Sequence, residues 1–150
     1  MTEISLPEGL PPWIKEHIEL YLKDGEAAHL WDAKHGGYDA LLTTLLLTTT
    51  GRKSGRPLML PLIYRNTDAG AYCIIASKGG APAHPAWFHN LKANPVVKVK
   101  VANEEFAAKA RIVQGDERAA LWETMAAYYP PYNDYQAATD REIPVVLLEK

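Results

Sequence analysis

A chain of 150 residues with 47% hydrophobic content is one domain by default, able to bury about 70% of the surface its unfolded form exposes. Its net charge of −2 excludes a global pull on nucleic acid, so any anion site has to be a local cluster of Lys and Arg. Cys73 stands alone and cannot staple the fold, no run approaches the ~20 apolar residues of a membrane span, and the polar start lacks a signal-peptide core. A reducing, cytoplasmic setting is the expectation.

In chain order, Met1 to Pro12 reads as a proline-bearing leader. Trp13 to Leu22 has helical spacing, with Ile14, Ile18, Tyr21 and Leu22 on one face, and Gly25 weakens its continuation towards Leu30-Trp31. This amphipathic piece leaves a peripheral membrane contact open. Its polar face mixes Lys15, Glu16, Glu19, Lys23, Asp24 and Glu26, without the basic excess of membrane-surface helices, which favours packing on the domain. His35 to Asp39 is a loop. Residues 1–40 thus form a leader and helix ahead of the main unit over 41–150, within a single domain.

From Leu41 the pattern changes to strands. Leu41 to Thr50 ends at a hairpin turn, Gly51-Arg52-Lys53-Ser54-Gly55, and Arg56 to Arg65 returns with Pro57 and Pro61, the mark of an edge or a bulge. Asn66 to Gly70 turns the chain into a third strand, Ala71 to Ala76. The stretch Ser77 to Asn90 follows, with Gly79-Gly80 as a tight turn and a short helix ending at Asn94-Pro95. Val97, Val99 and Val101 alternate with Lys98 and Lys100, and after a turn at Asn103-Glu104 the residues Phe106, Ala108, Ala110 and Ile112 alternate with Lys109 and Arg111. The lysines read as a solvated sheet face. Asp116 can cap a helix bearing Leu121, Trp122, Met125 and Tyr129, which ends at Pro130-Pro131. Tyr132 to Thr139 adds a helical turn or two, and Ile143 to Leu148 is a last buried strand. About six mostly antiparallel strands with flanking helices predict an α+β barrel.

Several chemistries find no support. G-x-S-x-G, Walker A and G-x-G-x-x-G motifs are missing, and His17, His29, His35, His84 and His89 show no metal-ligand spacing. Three features remain. Arg52, Lys53 and Arg56 make a compact positive hairpin tip, which taken alone reads equally as solvated turn chemistry. Ser77, Lys78, Gly79 and Gly80 join a strand end to a helix start, a corner suited to anions and carbonyls or simply a tight turn. Tyr128, Tyr129, Tyr132 and Tyr135 crowd a loop edge at Pro130-Pro131, so some hydroxyls should face a cavity although aromatic runs more often build cores.

The motifs Leu46-Leu47-Thr48-Thr49-Thr50-Gly51-Arg52-Lys53-Ser54-Gly55, Ala76-Ser77-Lys78-Gly79-Gly80-Ala81-Pro82, His84-Pro85-Ala86-Trp87, Asn90-Leu91-Lys92-Ala93-Asn94-Pro95, Tyr132-Asn133-Asp134-Tyr135-Gln136 and Thr139-Asp140-Arg141-Glu142-Ile143-Pro144 stand in order over residues 41–150. In this the chain resembles the deazaflavin-dependent nitroreductase family, split β-barrel reductases that use reduced coenzyme F420. The resemblance implies hydride transfer from the deazaflavin to an electron-poor quinone, nitroaromatic or enone. By it, Arg52, Lys53, Arg56 and Lys78 would meet the anionic tail, Ser77, Gly79, Gly80 and Trp87 the flat ring, and Asn90 the polar linker. Ser77, Tyr129, Tyr132 and Tyr135 would frame the substrate. Members often carry a basic residue after the hairpin proline, where Leu58 stands here, so which cation grips the phosphate stays open. FMN in place of F420 and a non-catalytic F420 carrier are the alternatives, and the oligomeric state is open.

Overall fold

A computed structural model describes residues 12–36 and 38–150. The expected leader, Pro12 apart, lies outside them. In chain order the elements are α1 (Pro12–Lys23), α2 (Gly25–Ala28), β1 (Leu30–Asp32), β2 (Leu41–Thr50), β3 (Pro57–Ile63), β4 (Arg65–Asn66), β5 (Tyr72–Ile75), α3 (Ala86–Ala93), β6 (Val96–Val101), β7 (Glu104–Val113), α4 (Gly115–Tyr128), α5 (Pro131–Ala137) and β8 (Val145–Glu149), with 3-10 turns at Ala33–Gly36 and Lys78–Gly80.

The sheet runs β1-β2-β6-β7-β8-β5-β4, every pairing antiparallel, with β3 on β2. The six strands expected from the pattern curl into a ring, because the second of them changes partner. Its first part, β3, pairs with β2 over Pro57–Ile63, and past Tyr64 its last two residues, β4, pair with β5. Pro61 sits opposite Leu46 on β3, whose one described strand partner is β2, so its missing N–H removes no ladder bond on the other edge.

Strand alternation builds two cores from the same strands. In β8, Val146 and Leu148 point into the ring with Leu45, Leu47, Ile74, Val97 and Val99, and α3 closes one end with Trp87, Phe88 and Leu91. Val145 and Leu147 point outwards with Cys73 and Ile75, where Met125, Tyr129 and Tyr132 from the α4–α5 region cover them. Cys73 is 1% exposed, and burial pushes its thiol pKa up to about 12.

A third cluster docks α1: Ile18, Tyr21 and Ala28 pack on Leu46, with Ile14, Met59 and Leu60 at the margin. Each large apolar group buried this way contributes about 1.5–3 kcal/mol. Polar bonds fix the register. The Tyr21 hydroxyl donates to Thr44 O at 2.7 Å, and Lys100 Nζ donates to Tyr21 O at 2.9 Å, placing a cation at the C-terminal end of α1. Lys100, expected on a solvated face, is thereby a helix partner.

Three further expectations are corrected, and Gly25, where α1 has already given way to α2, gains a second reason. Leu22 is 47% exposed, outside the buried face. Leu30–Asp32 continues no helix but pairs with Leu41–Thr43 as β1. Gly25 is required by close approach, since a Cβ there would run into Ala102 O. Asp116 lies in the first turn of α4, and Gln114 holds the cap position.

Candidate active site

The hairpin between β2 and β3 is closed by Gly51 N–H to Arg56 O and by Gly55 N–H to Gly51 O, both 2.8 Å, with Gly55 at φ +71°. Its tip is fixed from α3. Asn90, 3% exposed, accepts the Arg52 backbone N–H at 3.1 Å through Oδ1 and donates to Thr49 Oγ1 at 3.1 Å through Nδ2. Arg52 Nη1 reaches the same Oδ1 at 3.5 Å. Gly51, Arg52, Lys53, Ser54, Arg56, Leu58 and Asn90 line an open cavity of about 190 Å³. Among the described residues none of the three cations is ion-paired, whereas Lys34, Arg111, Arg118 and Lys150 each find a carboxylate. Positive charge without a counter-ion, around a cavity with one buried amide, suits a polyanionic ligand.

A second group forms at the end of β5. Lys78, Gly79 and Gly80 take positive φ in succession (47°, 63° and 83°). The turn is held by Gly80 N–H to Ser77 O at 3.0 Å and Ala81 N–H to Lys78 O at 3.2 Å. At Gly79 a Cβ would meet open space, while at Gly80 it would stand 2.8 Å from Tyr135 O. Gly80 is therefore the point where the turn and α5 touch.

Behind that contact the tyrosines pack on one another. Tyr129 and Tyr132 lie edge to face at 4.9 Å, and the hydroxyls of Tyr129 and Tyr135 share a hydrogen bond at 3.1 Å. Burial, and then the Tyr135 bond, raise the Tyr129 pKa; burial raises that of Tyr132. Both therefore stay protonated. The aromatic line continues from Tyr129 to Trp31 (6.4 Å) and from Trp31 to Trp13 of α1 (5.6 Å). Helix α3 links the two groups: His89 faces Arg52, and its ring lies 5.7 Å from that of His84, at the end of the glycine turn.

The profile of the F420H(2)-dependent quinone reductases matches residues 23–150 of this chain. The chain belongs to this family. A relative, the F420H(2)-dependent quinone reductase of Mycobacterium tuberculosis strain H37Rv, is 37% identical over 92% of this chain and 96% of its own. Among solved structures, an F420-H2 dependent reductase is 44% identical over 71% of this chain and 93% of its own, with a TM-score of 0.65. Another, described as a domain-swapped dimer, is 38% identical over 91% and 97%, with a TM-score of 0.67. The protein is an F420H2-dependent oxidoreductase with a split-barrel α+β fold.

In this reductase the structure joins the hairpin cations to Asn90, and Gly80 to Tyr135. Other expected site residues stand differently. Trp87 is 3% exposed, its side chain packed in the ring core rather than standing on an open surface. The Gly80 N–H is occupied by Ser77 O and is not free for a ring carbonyl. Tyr132 is buried in the outer core, leaving half-buried Tyr135 nearer the surface. Tyr128, in the tyrosine run, is structural: its hydroxyl accepts the Thr43 N–H at 2.7 Å.

Two residues were missed. Arg141 donates to Ala76 O, Ser77 O, Ala81 O and His84 Nδ1, and Gln136 holds the Arg141 and Ile143 backbone at 2.8 and 2.9 Å. Both sit inside the quoted motifs, but a guanidinium aimed at main-chain carbonyls has no spacing signal. Among the described residues no cluster of metal-binding side chains occurs, and no helix is long and apolar enough to cross a membrane.

Proposed function

We propose that this chain binds reduced F420 with its tail at the β2–β3 hairpin and its ring at the Ser77–Gly80 turn, and reduces a quinone-type acceptor held against Tyr135. The observation that carries the reading is the trio Arg52, Lys53 and Arg56, unpaired among the described residues around one cavity with Asn90. When bound, reduced F420 supplies a hydride to an electron-poor carbon. The remaining tasks fall to the chain. The hairpin cations neutralise the tail, with Leu58 adding an apolar wall and Arg52 the most firmly placed of the three, since Asn90 holds its backbone. Lys78 and Gly79 offer an exposed turn with open space beside Gly79, where a flat ring can approach main chain.

Within the Tyr129–Tyr135 pair, donation by Tyr129 leaves the Tyr135 O–H for an acceptor carbonyl. A phenol with a free pKa near 10 is a poor base and a serviceable donor. Ser77, half-buried, opens the glycine turn. Peripheral membrane contact through α1 gains little support: Ile18 and Tyr21 are buried on the sheet, and exposed Leu20 and Leu22 stand among Lys15, Glu16, Glu19 and Lys23.

The test is a fluorescence titration of the full chain with F420, then oxidation of F420H2 with a benzoquinone as acceptor. Saturable binding and quinone-dependent turnover are expected. Absence of saturable binding in the micromolar range would overturn the reading, and preferential binding of FMN would replace it with the flavin alternative.

A further inference from the structure

Arg141 makes three hydrogen bonds to one short turn and a fourth to His84 beyond it. Nε donates to Ala81 O at 2.8 Å, Nη2 to Ser77 O at 2.6 Å, and Nη1 to Ala76 O at 3.2 Å and to His84 Nδ1 at 2.9 Å. Arginine carries five N–H donors in a rigid fork, so the turn's main chain is shaped to that fork. No carboxylate pairs with Arg141 among the described residues; the adjacent Glu142 goes to Arg118 at 3.5 Å. The fork is itself set from α5, because Gln136 brackets residues 141 and 143. Lys78 takes a left-handed φ of 47° that a non-glycine residue adopts only at a cost, so this backbone needs holding.

The fourth acceptor is the unusual one. A guanidinium has no lone pair to offer, so His84 Nδ1 must be bare and its proton must sit on Nε2. The charged or titratable groups facing His84 are Arg141 from the segment before β8, and His89 and Lys92 from α3; the Phe88 ring lies against it at 4.8 Å. A proton on Nδ1 would set N–H against N–H and add a positive charge among cations.

We propose that Arg141 is a positioning residue for the cofactor, holding the Ala76–Ala81 turn in its receiving form while His84 presents a bare Nδ1. This rests on the reading that the turn receives the ring. Burial, and then Arg141, His89 and Lys92, lower the His84 pKa from its ordinary 6.5. The clamp is thus intact at neutral pH and opens as acid protonates the imidazole.

Three measurements on the full chain decide it. Imidazole nitrogen shifts of the free protein should show His84 neutral with its proton on Nε2; a proton on Nδ1 at neutral pH would overturn the clamp. F420 affinity should fall several-fold between about pH 7.5 and about pH 5 in the wild type, and stay flat in His84→Asn, whose amide oxygen is a non-titrating acceptor. Arg141→Lys keeps the charge and loses the fork, so it should bind F420 about tenfold more weakly at neutral pH, without acid sensitivity. Wild-type affinity and pH profile in Arg141→Lys would sink the positioning role. Should that variant fail to fold, the His84→Asn profile still decides, a persisting acid loss counting against the proposal. Failure of the wild type to bind F420 at all would remove the functional reading and the positioning role with it, while the nitrogen shifts would judge the clamp on their own.

Discussion

At the scale of single residues, the two glycines of the turn serve different purposes. Gly79 (φ +63°) faces open space, so Ala there meets only the cost of a left-handed backbone, about 1–2 kcal/mol. Gly80 (φ +83°) backs onto Tyr135 O at 2.8 Å, and Ala adds overpacking against main chain, for a total of about 2–5 kcal/mol. Urea unfolding of the two variants should rank Gly80→Ala as the more damaged; equal losses would mean that α5 gives way. The glycine pair was legible in the sequence as a turn, but nothing in two identical letters says which one touches a helix 55 residues later. The same limit applies to Trp87. An indole beside a turn reads as a ring-stacking wall until the sheet curls and places it inside.

At the scale of elements, the basic hairpin separates tail binding from ordinary surface chemistry. Exposed ion pairs contribute only ~0.2–1 kcal/mol each, so single alanine substitutions of Arg52, Lys53 or Arg56 should weaken F420 modestly and the triple variant substantially. Added salt should mimic the loss, because screening shortens the reach of exposed charges to about 8 Å. A deazaflavin precursor without phosphate or glutamates should bind all variants alike, and equal weakening of both ligands would point to barrel damage. Strands and hairpins were legible because Gly51, Gly55 and the Lys–Val alternation punctuate them. The docking of α1 was less so: β2 is apolar on both faces, and only the assembled sheet shows that Leu46 looks outwards to Ile18 and Tyr21. Strand β1 has just three residues and exposes Leu30, too short for a period-2 signal.

At the scale of the molecule, His17 and His84 tie stability to pH, and the pKa of His89 is lowered in the same direction by burial and then by Arg52 and Lys92. His17 is buried with Nε2 donating to Ala28 O at 2.8 Å, and its pKa is lowered mainly by burial; that of His84 is lowered too. A histidine whose folded pKa lies below the unfolded 6.5 contributes stability that is complete above that value and declines as pH falls towards the folded one. The midpoint of urea unfolding should hold above about pH 7 and drop from pH 6.5 downwards, and His17→Gln should flatten part of that drop. A midpoint independent of pH across this window would show that none of these imidazoles resists protonation.

The lone sulfur of Cys73 has a further consequence. It lies in β5, hydrogen-bonded through the ladder to β8, where the outer core meets the ring. With a pKa near 12, about one thiol in ten thousand is ionised at pH 8 even before access is considered. An alkylating reagent can therefore reach it only when the α4–α5 region lifts from this face of the sheet. The chain carries its own clock: the rate at which a thiol dye attaches, divided by the rate for the unfolded chain, gives the fraction of time the outer core spends open. Because F420 would not touch this sulfur directly, a slowing of the clock on adding F420 would weigh the ligand's grip on the α4–α5 layer without any engineered label.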